Sequence, residues 1–115
     1  MSKYVMNPVV VDAIQYEEGI GLEDGLVAFI VDMEDEEYIE RVFSGKNCWK
    51  AYSKLVHDLE GNRHIDIDKP AQPYINTIGG RKFISKGDYI ITGVLGERYV
   101  CHPDIFKEYY TQVED

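Results

Sequence analysis

The stretch YINTIGGRKFISKGDYIITGVLGERYVC, residues 74–101, decides the fold class. Tyr74–Ile78 and Lys82–Ile84 flank a Gly79-Gly80 turn, and glycine tolerates the positive φ angles that tight hairpins require. Ser85, Lys86, Gly87 and Asp88 make a second turn, Tyr89–Thr92 a further strand, and Gly93–Gly96 a third turn before Arg98–Cys101. Short runs rich in β-branched and aromatic residues, punctuated by glycine, predict antiparallel strands. Pro103 then has the residue type favoured at the first position of a helix, and Asp104 adds negative charge where the helix macrodipole stabilises it. Ile105, Phe106, Tyr109 and Tyr110 give this short helix an apolar face.

Upstream, Arg63–Asp68 alternates strictly, with Ile65 and Ile67 on one side and His64, Asp66 and Asp68 on the other, the pattern of a half-buried strand. Pro70 and Pro73 interrupt it. Cys48–Leu59 carries Trp49, Tyr52, Leu55, Val56 and Leu59 at helical spacing, and Gly61-Asn62 would stop that helix. Tyr38–Phe43 reads as a strand or as the tail of an acidic helix. Leu26–Val31 (LVAFIV) is a continuous apolar run, whose β-branched content favours strand over short helix. Glu17–Gly25 has the glycines and acids of a loop, and Val5–Tyr16, opening with Pro8, reads as a strand. The expectation is one β-rich α+β domain over residues 1–115. Its architecture would be a small twisted antiparallel sheet or open barrel with one or two short helices.

A chain of 115 residues can bury a core without staples, and a hydrophobic fraction of 44% argues against disorder despite the net charge of −9. Twelve basic against twenty-one acidic residues argues against nucleic acid as a partner, because phosphate contacts need clustered Lys and Arg. Between Lys3 and Arg41 there is no Lys or Arg, so the acids crowd one region of the chain. The opening MSKYVMNPVVVDAIQY has no apolar run of signal-peptide length, and no stretch reaches the length of a membrane span. No membrane partner is expected, and the protein is expected to stay in the cell that makes it. Cys48 and Cys101 lack any CxxC spacing and read as reduced thiols, with a mutual disulfide as the alternative.

Several segments together resemble a family of small phage and prophage proteins. Ser85–Tyr99 (SKGDYIITGVLGERY), followed by Cys101, Pro103-Asp104-Ile105-Phe106 and Tyr109 or Tyr110, is similar to that family's C-terminal signature, GD[YW]IIxGVxGExYPCKPDIF. Pro8–Tyr16 (PVVVDAIQY) resembles its N-terminal KPVVVEAIQ[WY], and Tyr74–Gly80 resembles its I-x-T-L-E-G hairpin. Val100 stands where the family has proline, and His102 where it has lysine. Residues 17–71 match none of the signatures and read as a variable insertion in a shared frame. The resemblance implies a phage-encoded accessory protein acting in the cytoplasm of a bacterial host. A constant frame with a variable insertion is common among phage counter-defence factors.

The residue inventory yields no catalytic pair. The glycines of Gly87–Gly96 lack the following helix start that a phosphate loop needs, so hairpin turns explain them better. His64, Asp66 and Asp68 could approach a divalent cation, but alternate residues on one straight strand diverge, so a solvated face is the simpler reading and no metal or cofactor is expected. Cys101 and His102 are adjacent in a strand and point to opposite faces, which excludes a nucleophile–base pair. His57 has no nucleophile in its surroundings. A metal-dependent phosphodiesterase-like activity is thus a minor alternative to a non-catalytic protein.

Two binding readings remain. Aromatic faces stack on bases and cations hold phosphates, so Arg98, Tyr99, His102, Arg81, Lys82 and Trp49 are the candidate ligand residues for a small nucleotide-type host immune signal that the protein would sequester. The acidic run Asp32–Glu40 suggests instead a nucleic-acid mimic that inhibits a host defence protein directly. Both readings compete with an ordinary role for these residues, core aromatics with polar tips and a solvated loop. Free strand edges in short sheets also favour a homo-oligomer.

Overall fold

A computed structural model describes residues 2–4 and 9–113 of the chain. The elements are β1 (Asp12–Gln15), β2 (Gly25–Asp32), β3 (Glu37–Ser44), α1 (Cys48–Asp58), β4 (Arg63–Ile65), β5 (Gln72–Thr77), β6 (Gly80–Phe83), β7 (Tyr89–Thr92), β8 (Arg98–Cys101) and α2 (Pro103–Tyr109). They form two antiparallel sheets, one of three strands in the order β1-β7-β8 and one of five in the order β3-β2-β5-β6, with β4 also paired to β2. The fold is α+β and neither sheet closes into a barrel. The Val5–Pro8 start of the expected first strand lies outside the described residues.

The apolar run Leu26–Val31 is the spine of the larger sheet. β2 pairs with β3 along its whole length, from Gly25↔Ser44 to Asp32↔Glu37, and with β5 and β4 on its other edge. Its side chains are buried on both faces of the sheet, and that is why its pattern is continuous. Beneath α1, Leu26, Ala28 and Cys48 form one core, with Phe43, Trp49, Tyr52 and Ala71 packed against it. Tyr16, Ile75, Ile84 and Ile90 form a second core between the two sheets, joined by Leu22 and Val100.

Three expectations are corrected. The strand expected over Arg63–Asp68 ends at Ile65, because the Asp66 side chain accepts a hydrogen bond from the Asp68 backbone N–H (3.0 Å) and folds the chain into a turn. Ile67 is consequently exposed rather than on a buried face. The β5–β6 turn is shifted by one residue: Thr77 pairs with Gly80, so Ile78 and Gly79 form a two-residue loop, and the positive φ of +104° falls on Gly80, which only glycine adopts readily. In α2, Ile105 and Tyr109 are solvent-exposed, so the apolar face is reduced to Phe106, on which the partly exposed Tyr110 stacks from just past the helix end.

Asp24 joins the sheets, and its neighbour Gly25 closes the β2–β3–β5 junction. The Asp24 backbone N–H donates to Tyr74 O (2.9 Å), and its carbonyl accepts from Gly45 N (2.8 Å). Its Oδ2 accepts from the Asn76 N–H (2.7 Å) and forms an ion pair with the Arg98 guanidinium, which also donates to Leu22 O. Gly25 follows, where a Cβ would lie 2.3 Å from Phe43 O and 2.4 Å from the Tyr74 hydroxyl. The backbone oxygen has no room to retreat while β2 and β3 stay paired. Gly25→Ala is therefore expected to lower the unfolding free energy by about 3 kcal/mol, read as an earlier urea midpoint. A loss below about 0.5 kcal/mol would show that the β2–β3–β5 junction is looser than the geometry requires.

Candidate functional site

The β5–β6 hairpin and β8 bound an open groove of about 260 Å³ lined by Thr77, Lys82, Phe83, Tyr99 and Val100. Its position follows from strand alternation. Ile75 is opposite Lys82 in the hairpin, so Lys82 shares with Ile75 and Thr77 the face turned toward the inter-sheet core. On the other wall, Val100 is opposite Ile90 and packs on that core, while Tyr99 is opposite Ile91 on the face that α2 covers. Both walls come from sheet-edge strands, since among the described residues β6 pairs only with β5 and β8 only with β7.

Lys82 forms no ion pair among the described residues, so its charge is available to a ligand. Partial burial, then the neighbouring Glu97 carboxylate, hold the Tyr99 phenol above its ordinary pKa of 10.0, so at neutral pH it is a hydrogen-bond donor. Glu97 is itself fixed, because its carboxylate accepts from the Leu95 N–H (2.9 Å) and closes the β7–β8 turn. A cation, two aromatic rings and a hydroxyl thus line one groove on paired strands.

The six sequence-derived candidates do not all meet there. Lys82 and Tyr99 line the groove. Arg98 begins the same strand, but its guanidinium is held by Asp24 and Leu22 O. Arg81 projects from the opposite face of β6 and stacks on the Tyr74 ring at 4.3 Å. His102 caps α2, its Nδ1 accepting from the Asp104 N–H at 3.3 Å. Trp49 belongs to the core under α1, edge-on to Tyr52 with ring centroids 6.0 Å apart. Sequence reading missed Thr77, Phe83 and Val100. All three had been assigned to strands, and only the packing of one sheet's edge against the other brings them together.

It also missed an aromatic ladder beside the groove. Tyr89 of β7, Phe106 of α2 and Tyr110 just beyond it are stacked, with centroids 3.7 and 5.0 Å apart and planes within 8° and 11°. The 106/110 spacing was visible in the sequence, whereas the third ring comes from a strand that is distant along the chain.

A second groove, of about 230 Å³, is lined by Glu18, Pro70–Pro73, Ser85 and Lys86 among others. Its rim pairs a carboxylate with the lysine type and offers no exposed aromatic face. Among the described residues no three His, Cys, Asp or Glu side chains converge as a metal site, and His64 lies on β4 while Asp66 and Asp68 lie in the following turn. The acidic run forms the β2–β3 hairpin, where Asp32 Oδ1 accepts from the Glu34 and Asp35 N–H groups and Oδ2 meets Arg63 at 3.4 Å. These bonds hold the Asp32 carboxyl below its ordinary pKa, led by the one from Asp35. Among the described residues no helix is long and apolar enough to cross a membrane.

The Tyr16 hydroxyl, Glu23 Oε2 and Trp49 Nε1 are buried without a hydrogen bond of normal geometry. Burial first, then the Glu23 carboxylate, push the Tyr16 phenol well above its ordinary value of 10.0. The same two causes raise the Cys48 thiol, while burial followed by Asp88 raises Cys101, so both free cysteines are poor nucleophiles. Comparison with protein-family models, curated proteins and solved structures finds no match to the chain.

The Tyr16 shift fixes an alkaline limit on stability. Below about pH 10 both states keep the phenol protonated; above it the unfolded chain releases the proton and the folded chain does not. The unfolded state then binds fewer protons, so stability falls as pH rises, by up to about 1.4 kcal/mol per pH unit. Urea midpoints measured at about pH 9 and pH 11 are expected to drop further in the wild type than in Tyr16→Phe. Equal drops would place the phenol in a more hydrated site.

Proposed function

We propose that this protein is a phage-encoded accessory factor that binds a small nucleotide-type host immune signal in the Lys82–Tyr99 groove and holds it without transforming it, in the cytoplasm of a bacterial host. The observation that carries the reading is the groove itself. Lys82, which forms no ion pair among the described residues, and the half-exposed Tyr99 ring line one open groove of about 260 Å³ together with Phe83 and Thr77. Phosphate oxygens are the natural partners of Lys82, and planar bases are those of the rings. The resemblance to phage proteins supplies the biological setting.

Native mass spectrometry of the protein mixed with cyclic dinucleotides and cyclic ADP-ribose isomers tests this. A retained, unmodified ligand at fixed stoichiometry is expected, and the same spectra count the copies of the chain in each complex. Lys82→Ala should weaken binding about tenfold or more, the cost of one charge-assisted hydrogen bond. A ligand of altered mass would make the protein an enzyme, and no binding of any tested signal would sink the proposal for those signals. Arg98→Ala is a poor probe, since that guanidinium joins the sheets.

One observation favours a second reading, direct inhibition of a host defence protein by the acidic hairpin. Glu34, Asp35, Glu36 and Glu37 are all exposed at the tip of a turn that Asp32 fixes. Neutralising these four together should leave activity in a host-defence assay intact if the groove is the functional site. It should abolish that activity, with Lys82→Ala silent, if the hairpin is.

A further inference from the structure

We infer that the Tyr89–Phe106–Tyr110 ladder is a stacking platform for the base of the nucleotide-type ligand, with Tyr110 presenting the open ring face; this rests on the groove reading above and names the part of the ligand that gives selectivity. The geometry orders the three rings. Tyr89 lies 3.7 Å from Phe106 and Tyr110 lies 5.0 Å from it, all nearly parallel. Two rings on one face of Phe106 at those distances would overlap, so Phe106 is sandwiched and Tyr110 ends the stack. Tyr110 is 40% exposed, and among the described residues no ring other than Phe106 is in aromatic contact with it.

The ladder differs in kind from the protein's core aromatics. Phe43–Tyr52 and Trp49–Tyr52 meet edge-to-face, with interplanar angles of 74° and 83°. Edge-to-face packing presents ring edges and offers no flat surface, whereas a parallel stack ends in a face that accepts one more planar ring. The supports are ordered at each step. Tyr89 is paired with Cys101 in the sheet, Phe106 N donates to His102 O (2.9 Å), and Tyr110 N donates to Phe106 O (3.0 Å). A platform held in place loses little conformational freedom when a base lands on it.

Tyr99 connects the ladder to the groove. It lines the groove with Lys82, and it shares with Tyr89 the face of the three-stranded sheet on which the ladder is built. A base on Tyr110 would carry its sugar toward Tyr99 and an anionic group on toward Lys82. Stacking grows with overlapped area, so a purine is preferred over a bare sugar phosphate.

The test compares adenosine, adenosine monophosphate and ribose 5-phosphate as probes of the full chain, by titration calorimetry and by tyrosine ring NMR shifts. Adenosine monophosphate is expected to bind at least about tenfold more tightly than ribose 5-phosphate, the scale of one base–aromatic stack. Both adenine-bearing probes should shift the Tyr110 ring signals, and ribose 5-phosphate should leave them in place. Tyr110→Ala should erase the preference for adenine, and Tyr110→Phe, which keeps the ring and guards against a folding artefact, should retain it. If ribose 5-phosphate binds the wild type as tightly as adenosine monophosphate, and Tyr110→Ala changes neither, the platform is overturned while the groove reading stands. If none of the probes binds, the platform falls, and the groove reading falls with it when the cyclic signals also fail to bind.

Discussion

The Asp24–Arg98 ion pair is the constraint on which the arrangement depends. The two sheets share no strand, so nothing in the backbone ladders sets their relative position. Asp24 does so by holding the end of β5 through the Asn76 N–H, the start of β8 through Arg98, and the turn before α1 through Gly45. The inter-sheet core of Tyr16, Ile75, Ile84 and Ile90 supplies adhesion without direction, because apolar burial does not specify an angle. The ion pair and its hydrogen bonds supply the direction. Breaking one partner would leave a half-buried charge uncompensated, which costs more than the pair itself contributes. The groove forms where β8 is pinned beside the β5–β6 hairpin, and it inherits its width from this clamp.

Most strands were legible from local chemistry. Leu26–Val31, the hairpins around Gly80 and Gly96, and the helices beginning at Cys48 and Pro103 follow from periodicity, β-branching and turn residues, and the structure has them. The misreadings came where a side chain competed with the backbone. Asp66 ended a strand whose alternation ran on to Asp68, and alternation records hydropathy without recording what an aspartate does to its own backbone. The division into two sheets was not legible, because it rests on long-range pairs such as Asp12↔Thr92, eighty residues apart in the chain.

The candidate site was half legible for the same reason. Lys82 and Tyr99 were identifiable by residue type, yet so were Arg98, Arg81, His102 and Trp49, which the fold assigns to a clamp, a cation–π stack, a helix cap and a core. Residue type says what a side chain is able to do, and topology decides whether it is free to do it. Arg98 illustrates this most sharply: the acid that occupies it, Asp24, lies seventy-four residues away.

The open sheets carry one more consequence, for solubility. β3 is the longest free margin of the molecule, and its centre is Glu40-Arg41. Antiparallel pairing of two such margins about a two-fold axis must place residues of equal parity opposite each other. A register centred on this strand therefore sets Glu40 against Glu40 or Arg41 against Arg41, and like charges directly opposed oppose the ladder. β8 has no such guard at Tyr99, Val100 and Cys101. The charge pattern thus disfavours two-fold pairing centred on the long margin and leaves the shorter one, beside the groove, as the softer edge.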